Sequence, residues 1–465
     1  MKEVGAFLLA ALQSHIFWGT VTGLGTIFLA VTALVMYAKS RRSPSRSGGG
    51  ADYADLVQTL LAKYMGSAGD QYHSSVDFAA EHTHLAHAVD WLQEQARTGG
   101  DRQRVLAALD ALIKGDTRPA EIILKSHMDL ARNEGNNAYA GWMARHLGAI
   151  ASVRDTNAAM AAYLEATGVD PTEPDGWNRV GLLYRRNGQY DEAAEVFEKV
   201  LSLVTSAENP SACATAASNL GLIHRADGDT ELATDRFIES LSLNEVLNDQ
   251  DAMIRDYSNL GFLYDGRGDL EKAEALHRKA LSLAEEAGRR EAIADSLTNL
   301  GLVFEASGNL QSAEDAFRQS LALNEELDRQ EGIASALSNL GLVFQSEGDL
   351  EQAEICHRKS LAINEGRGAR DSVAADYGNL GVVHQMRDEL DAAEACHQRA
   401  LTINEELGRR DGMANQFGNL GLIHQNLGNI KAATECFTNA RNLFLEIGDQ
   451  DKADQTADLL DRLED

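Results

Sequence analysis

The sequence predicts an all-α fold: a solenoid of stacked helix hairpins, preceded by one transmembrane helix. Three observations carry that reading. The tripeptide Asn-Leu-Gly recurs at 219–221, 259–261, 299–301, 339–341, 379–381 and 419–421, always 40 residues apart. Only five prolines occur in 465 residues and none follows Pro210, so helices can run between turns made by glycine. From Val4 to Ala38 there is no Asp, Glu, Lys or Arg. A composition of 44% apolar and 24% charged residues excludes disorder as the general state.

Residues 1–15 form a short leading segment in which Lys2 and Glu3 cancel. Residues 16–38 (IFWGTVTGLGTIFLAVTALVMYA) give 23 mostly apolar positions, enough for a helix to cross ~30 Å of hydrocarbon. Phe17 and Trp18 mark one end and Tyr37 the other, as interfacial side chains would. Lys39, Arg41, Arg42 and Arg46 follow, so the positive-inside bias places the rest of the chain in the cytoplasm. A cleaved signal peptide fits worse, because the apolar run is long and its basic residues come after it. Gly19 and Gly23 form a small-xxx-small pair, a common feature of membrane helices whether or not they associate. Residues 39–50 (KSRRSPSRSGGG) read as a flexible basic linker.

Residues 51–97 are helical but outside the repeat. Phe78, His82, Leu85, Val89, Leu92 and Ala96 make an apolar stripe expected to fold back on the first hairpins. Residues 98–171 hold two degenerate hairpins: Gly115 turns and Ala120 packs in the first, and Trp142, Gly148 and Tyr163 mark the second. Residues 172–450 hold seven regular repeats, the earliest with Arg179-Val180-Gly181 in place of Asn-Leu-Gly. Twelve residues after the first glycine stands an alanine (193, 233, 273, 313, 353, 393, 433), and four further on a ring: Phe197, Phe237, His277, Phe317, His357, His397, Phe437. Glycine and alanine let two helices approach where they cross, and the ring fills the space beside them. A second glycine (188, 228, 268, 308, 348, 428) turns each hairpin, with Asp388 as the exception. Residues 451–465 start like another first helix and stop, as a polar capping helix would.

Trp177-x-x-Val180-Gly181-x-x-Tyr184, then Ala193-x3-Phe197, resembles the signature of the tetratricopeptide repeat family. The 40-residue period is similar to that of kinesin light chains and Pins-type spindle-orientation regulators. The resemblance implies a right-handed superhelix whose first helices line a concave groove that takes protein segments. It also implies that the groove asparagine of the family corresponds to Asn219, Asn259, Asn299, Asn339, Asn379 and Asn419. An amide both donates and accepts, so a row of them can hold an extended backbone. The same asparagines can instead tie neighbouring hairpins together. One residue earlier stand Ser218, Ser258, Thr298, Ser338, Gly378 and Gly418, small enough to leave the groove floor open. Six residues later stand Arg225, Asp265, Glu305, Gln345, Gln385 and Gln425. Arg179, Arg225 and Arg255 are the only basic groups placed for a carboxylate clamp.

Searching for chemistry yields little. There is no GxxxxGK[ST], HExxH or GxSxG motif, so no cofactor is expected. Glu81, His82, His84 and His87, with Asp77 a turn earlier, lack a second helix with matching ligands, and no metal is expected there. Cys356, Cys396 and Cys436 are 40 residues apart, too far for a bridge once stacked, and read as small packing residues. The first 50 residues hold five basic side chains and one acid, so residues 51–465 hold 37 basic against 70 acidic groups. Such a body repels phosphate backbones and excludes nucleic-acid binding as a purpose. It favours a basic protein or peptide partner. The expected function is therefore a membrane-anchored, non-enzymatic scaffold with its repeats in the cytoplasm. The alternatives are a self-assembling homo-oligomer at a membrane, or an enzyme with its site in residues 51–135.

Overall fold

The computed structural model of the chain describes residues 75–98 and 101–464. The expected membrane helix over 16–38 and the linker over 39–50 lie outside them, as does the start of the pre-repeat region. Among the described residues there are twenty helices, no strand, and no helix long and apolar enough to cross a membrane.

The chain divides into two compact units, Met1–Arg267 and Gly268–Asp465. In the first, α1 (Ser75–Thr98), α2 (Arg102–Ile113), α3 (Arg118–Asn133), α4 (Asn137–Ser152) and α5 (Thr156–Val169) precede the regular repeats. Then come α6 (Pro174–Arg186), α7 (Tyr190–Leu203), α8 (Pro210–Ala226), α9 (Thr230–Leu247) and α10 (Gln250–Gly266). The second unit holds α11 (Leu270–Glu286), α12 (Arg290–Ala306), α13 (Leu310–Glu326), α14 (Gln330–Glu347) and α15 (Leu350–Arg367). It continues with α16 (Arg370–Met386), α17 (Leu390–Leu407), α18 (Arg410–Asn426), α19 (Ile430–Glu446) and α20 (Gln450–Glu464).

The helices start and stop where local chemistry dictates. Pro174 and Pro210 open α6 and α8, where a missing N–H costs nothing. Asp229 and Asp349 cap α9 and α15, each accepting the backbone N–H three residues on at 3.1 Å. The hairpin turns take the left-handed conformation, with φ of +74° at Gly188 and +80° at Gly228; Asp388 adopts it too, at +60°. A second series of left-handed residues, Asn248, Gly288, Asp328, Gly368, Gly408 and Gly448, ends the second helices from α9 to α19. These also recur every 40 residues, a signal that the search for Asn-Leu-Gly passed over.

The regular hairpins within each unit close on a glycine-ring contact. Phe197, Phe237, Phe317 and Phe437 are fully buried, as are the alanines at 193, 233, 273, 313, 353, 393 and 433. A Cβ on Gly221 would come within 2.7 Å of the Phe237 ring, so only glycine lets the helices close this far. The degenerate hairpin α4–α5 uses the same device: a Cβ on Gly148 would reach Tyr163 at 2.6 Å. Burying one such ring contributes about 2–3 kcal/mol.

From Leu85 onward, the stripe on α1 folds back as expected. Leu85, Val89, Leu92 and Ala96 share a core with Leu109, Leu124, Met143 and Leu147. An aromatic seam the sequence analysis missed closes it: Trp91 meets the edge of His127 at 4.9 Å and of Trp142 at 6.5 Å. At the other end, α20 lays Ala453 on Ala414, Ala440 and Phe444, leaving Asp451, Asp454, Asp458 and Asp461 outside.

Candidate segment-binding face and the joints behind it

The six asparagines lie on α8, α10, α12, α14, α16 and α18, one per first helix. Their surroundings differ. Asn219 is buried and donates to its own helix, at Thr215 O, 2.8 Å. Asn259 accepts from Arg225 Nη1 at 3.2 Å, a bond from α8 to α10. Asn379 reaches Ser338 Oγ on α14 at 3.5 Å. Asn299, Asn339 and Asn419 are half-buried, and among the described residues their amides have no hydrogen-bond partner. The row thus mixes ties between hairpins with uncommitted amides.

Most of the small residues that precede the asparagines make room for, or bond to, side chains of the same and the next hairpin, whereas Ser258 bonds Ile254 O of its own helix and nothing lies within 4 Å of where a Cβ on Gly418 would stand. Ser218 donates to Asp256 Oδ1 on α10 at 3.4 Å. Thr298 bonds Ser320 at 2.7 Å. A Cβ on Gly378 would meet Gln416 at 3.2 Å. Behind them the successive hairpins are joined by buried polar groups. Asp256, 1% exposed, accepts on Oδ2 from Ser240 Oγ and Asn244 Nδ2, both at 2.8 Å. Burial pushes its carboxyl up to about 6, while these donors and Arg255 pull the other way. The set recurs 120 residues later. Asp376, again 1% exposed, accepts from Ser360 at 3.1 Å and Asn364 at 2.7 Å, and burial raises it as well. Elsewhere the asparagine of the second helix meets no carboxylate: Asn324 and Asn404 rest against Gly332 and Gly412, where any Cβ would overlap the amide.

The side chains six residues after the asparagines also vary. Arg225 is depressed by desolvation and then by the like charge of Arg185, one repeat earlier in the same register. Burial raises the Glu305 carboxyl. Gln345 Oε1 is buried without a partner. Arg179 is buried at the asparagine position of α6, and Arg255 lies beside Asp256.

The side chains of Asp77, Glu81, His82 and His84 lie outside the described ones. Elsewhere among the described residues no group of three metal-ligating side chains occurs. All four cysteines are free, with Cys213 and Cys356 buried. His277, His357 and His397 fill the ring position: burial lowers each, the first two to about 4. His397 Nδ1 bonds Gln416 Oε1 at 2.8 Å, whereas neither ring nitrogen of His357 has a partner.

Residues 174–245, 254–326 and 332–406 match the tetratricopeptide repeat family model, and these stretches are tetratricopeptide repeats. The structure is similar to that of apo RapI, with a TM-score of 0.51 at 14% identity, over 59% of this chain and 98% of that one. It is also similar to a signal-transduction ATPase with a tetratricopeptide repeat sensor from Pyrococcus horikoshii. There the TM-score is 0.53 at 10% identity, over 88% of this chain and 68% of the other. BtubC from P. vanneervenii shares 25% identity over 48% of this chain and 92% of its own, with a TM-score of 0.41. No curated protein matches the chain.

Proposed function

We propose that this protein is a membrane-tethered scaffold that holds segments of a protein partner along the first helices of its repeats, with the repeats in the cytoplasm. A tetratricopeptide solenoid is consistent with a protein-interaction role, and the partner reading rests on one observation. Asn299, Asn339 and Asn419 keep half-buried amides uncommitted, in register, at positions where stability alone would have used them as Asn259 is used. Their spacing supports contact with a backbone, which offers a donor and an acceptor at every residue. A basic segment is favoured, since Glu305 stands half-buried in the same register and a cation docked beside it would relieve its desolvation. The tether rests on the apolar run 16–38 and the basic cluster after it.

Changing Asn299, Asn339 and Asn419 together to Ala tests the face, using a partner recovered by proximity labelling from the C-terminus. Each lost hydrogen bond should weaken binding by ~0.5–1.5 kcal/mol, so affinity should fall roughly tenfold to several-hundredfold. The control substitutes Gln319 and Lys359, exposed on the second helices. Loss of binding in the control but not in the asparagine variant would put the partner on the opposite face. For the tether, the full chain should resist extraction from membranes by carbonate. Release into the soluble fraction would remove that part of the reading.

A further inference from the structure

We propose that the joint between α9 and α10 is a proton-operated fastening: acid tightens it, through Asp256, while the joints built on asparagine and glycine do not respond. Three uncharged donors from two neighbouring elements converge on this carboxyl: Ser218 from α8, and Ser240 and Asn244 from α9. The charged group that bears on it is Arg255, on its own helix. No water-accessible face remains to solvate a charge, at 1% exposure. At neutral pH the ionised carboxylate relies on those donors and a distant guanidinium. A proton removes the charge, and the protonated oxygen can donate to Ser218 while the other keeps its two donors. The joint is therefore held more firmly when protonated.

The arrangement belongs to the joint and not to one isolated side chain. Ser338, Ser360, Asn364 and Asp376 repeat it 120 residues on, between α15 and α16. Even the flanking contact returns: Tyr257 donates to Glu245 at 3.5 Å, and Tyr377 to Glu365 at 3.2 Å. The first copy is the cleaner test, because α9 carries Phe237 where α15 carries the titratable His357.

The sign follows from linkage. A carboxyl held near 6 in the folded chain, against an ordinary value of 3.8, binds a proton more tightly folded than open. Local stability is thus gained as pH falls through 6 and is lost as pH rises through it. Between pH 7 and 5 the opening equilibrium of the joint should drop roughly tenfold.

Hydrogen exchange by mass spectrometry on the full-length chain in detergent, corrected for intrinsic exchange rates, reads this directly. Peptides of α9 and α10 should gain about tenfold protection from pH 7 to pH 5, while those of α13 and α14, joined at Asn324 and Gly332, gain none. Asp256→Asn keeps a shape that can meet the same partners, so it should hold the joint firm at both values and abolish the difference. Equal gains in both pairs of helices would overturn the proposal, as would a difference that survives in D256N. The comparison of the two joints within the unaltered chain stands even if D256N does not fold.

Discussion

His357 shows at the scale of one residue what a repeating sequence reveals and what it hides. Its place was legible, since the period puts it where four other hairpins carry Phe197, Phe237, Phe317 and Phe437. Its state was not, because full burial and two unpartnered ring nitrogens depend on neighbours from other elements. Burial lowers this histidine to about 4, against 6.5 ordinarily. A base whose folded value is depressed contributes stability above pH 6.5 and loses it as pH falls toward 4. Between pH 7 and 5 this one ring should cost about 2 kcal/mol. His357→Phe should therefore flatten that part of the acid response, and raise stability at pH 7 by about 1 kcal/mol by removing buried unsatisfied nitrogens. Urea unfolding at pH 5 and 7 measures both. A variant with unchanged pH dependence would show that the ring binds its proton as readily in the folded chain as in the unfolded one. The asparagine row was legible in the same partial way. Its register could be read, but the division between tied Asn259 and uncommitted Asn299 depends on what Arg225 does one hairpin away.

At the scale of the hairpin, the two kinds of glycine do different work and should fail differently. Gly221 must lack a Cβ because Phe237 occupies that space. Gly228 meets nothing, and its constraint is a φ of +80°. Gly221→Ala should cost about 1–3 kcal/mol through overpacking. Gly228→Ala should cost about 1–2 kcal/mol through backbone strain alone. A Tyr or Leu at 221 should be worse than Ala, whereas at 228 side-chain size should matter little; thermal midpoints of the four variants test the distinction. Asp388 supplies the converse. It holds the same left-handed turn at +60° where its six counterparts are glycine, so Asp388→Gly should stabilise by up to about 1 kcal/mol. A loss would mean that the carboxylate itself does something at that turn. The hairpin turns were plain in the sequence because glycine marks them. The turns between hairpins were overlooked because Asn248 and Asp328 interrupt their glycine pattern. The buried joints were invisible for a stronger reason: Asp256 and Asp376 sit in positions occupied by Gly176, Ala216, Ser296, Ala336 and Gln416 in the other repeats. No consensus marks a residue that only two joints share.

At the scale of the molecule, the 40-residue period runs unbroken through Arg267 and Gly268, so a periodic text carried no sign of the division into two units. The departure of α20 from the repeat was legible, because Asp461 stands where the first glycine should be. A solenoid adds an apolar face with every hairpin, and the last one must be covered by a helix with a polar outer side. In α20 that cover is thin. Ala453 and Thr456 are its buried contacts, and they shield Ala440 and Phe444, the latter 5% exposed. Ending the chain after Asp449 should strip this cover and cost about 2–3 kcal/mol, mostly from exposing Phe444. The uncovered stripe along α19 should then seek a partner of its own kind. Two measurements separate the parts of this argument. Calorimetry should show a lower unfolding midpoint, and sedimentation should show association that grows with concentration. Ala453→Glu in the full chain places a charge against Phe444 and should reproduce both effects without shortening the protein. If the truncated chain melts where the intact one does and stays monomeric, then α20 does not close the array.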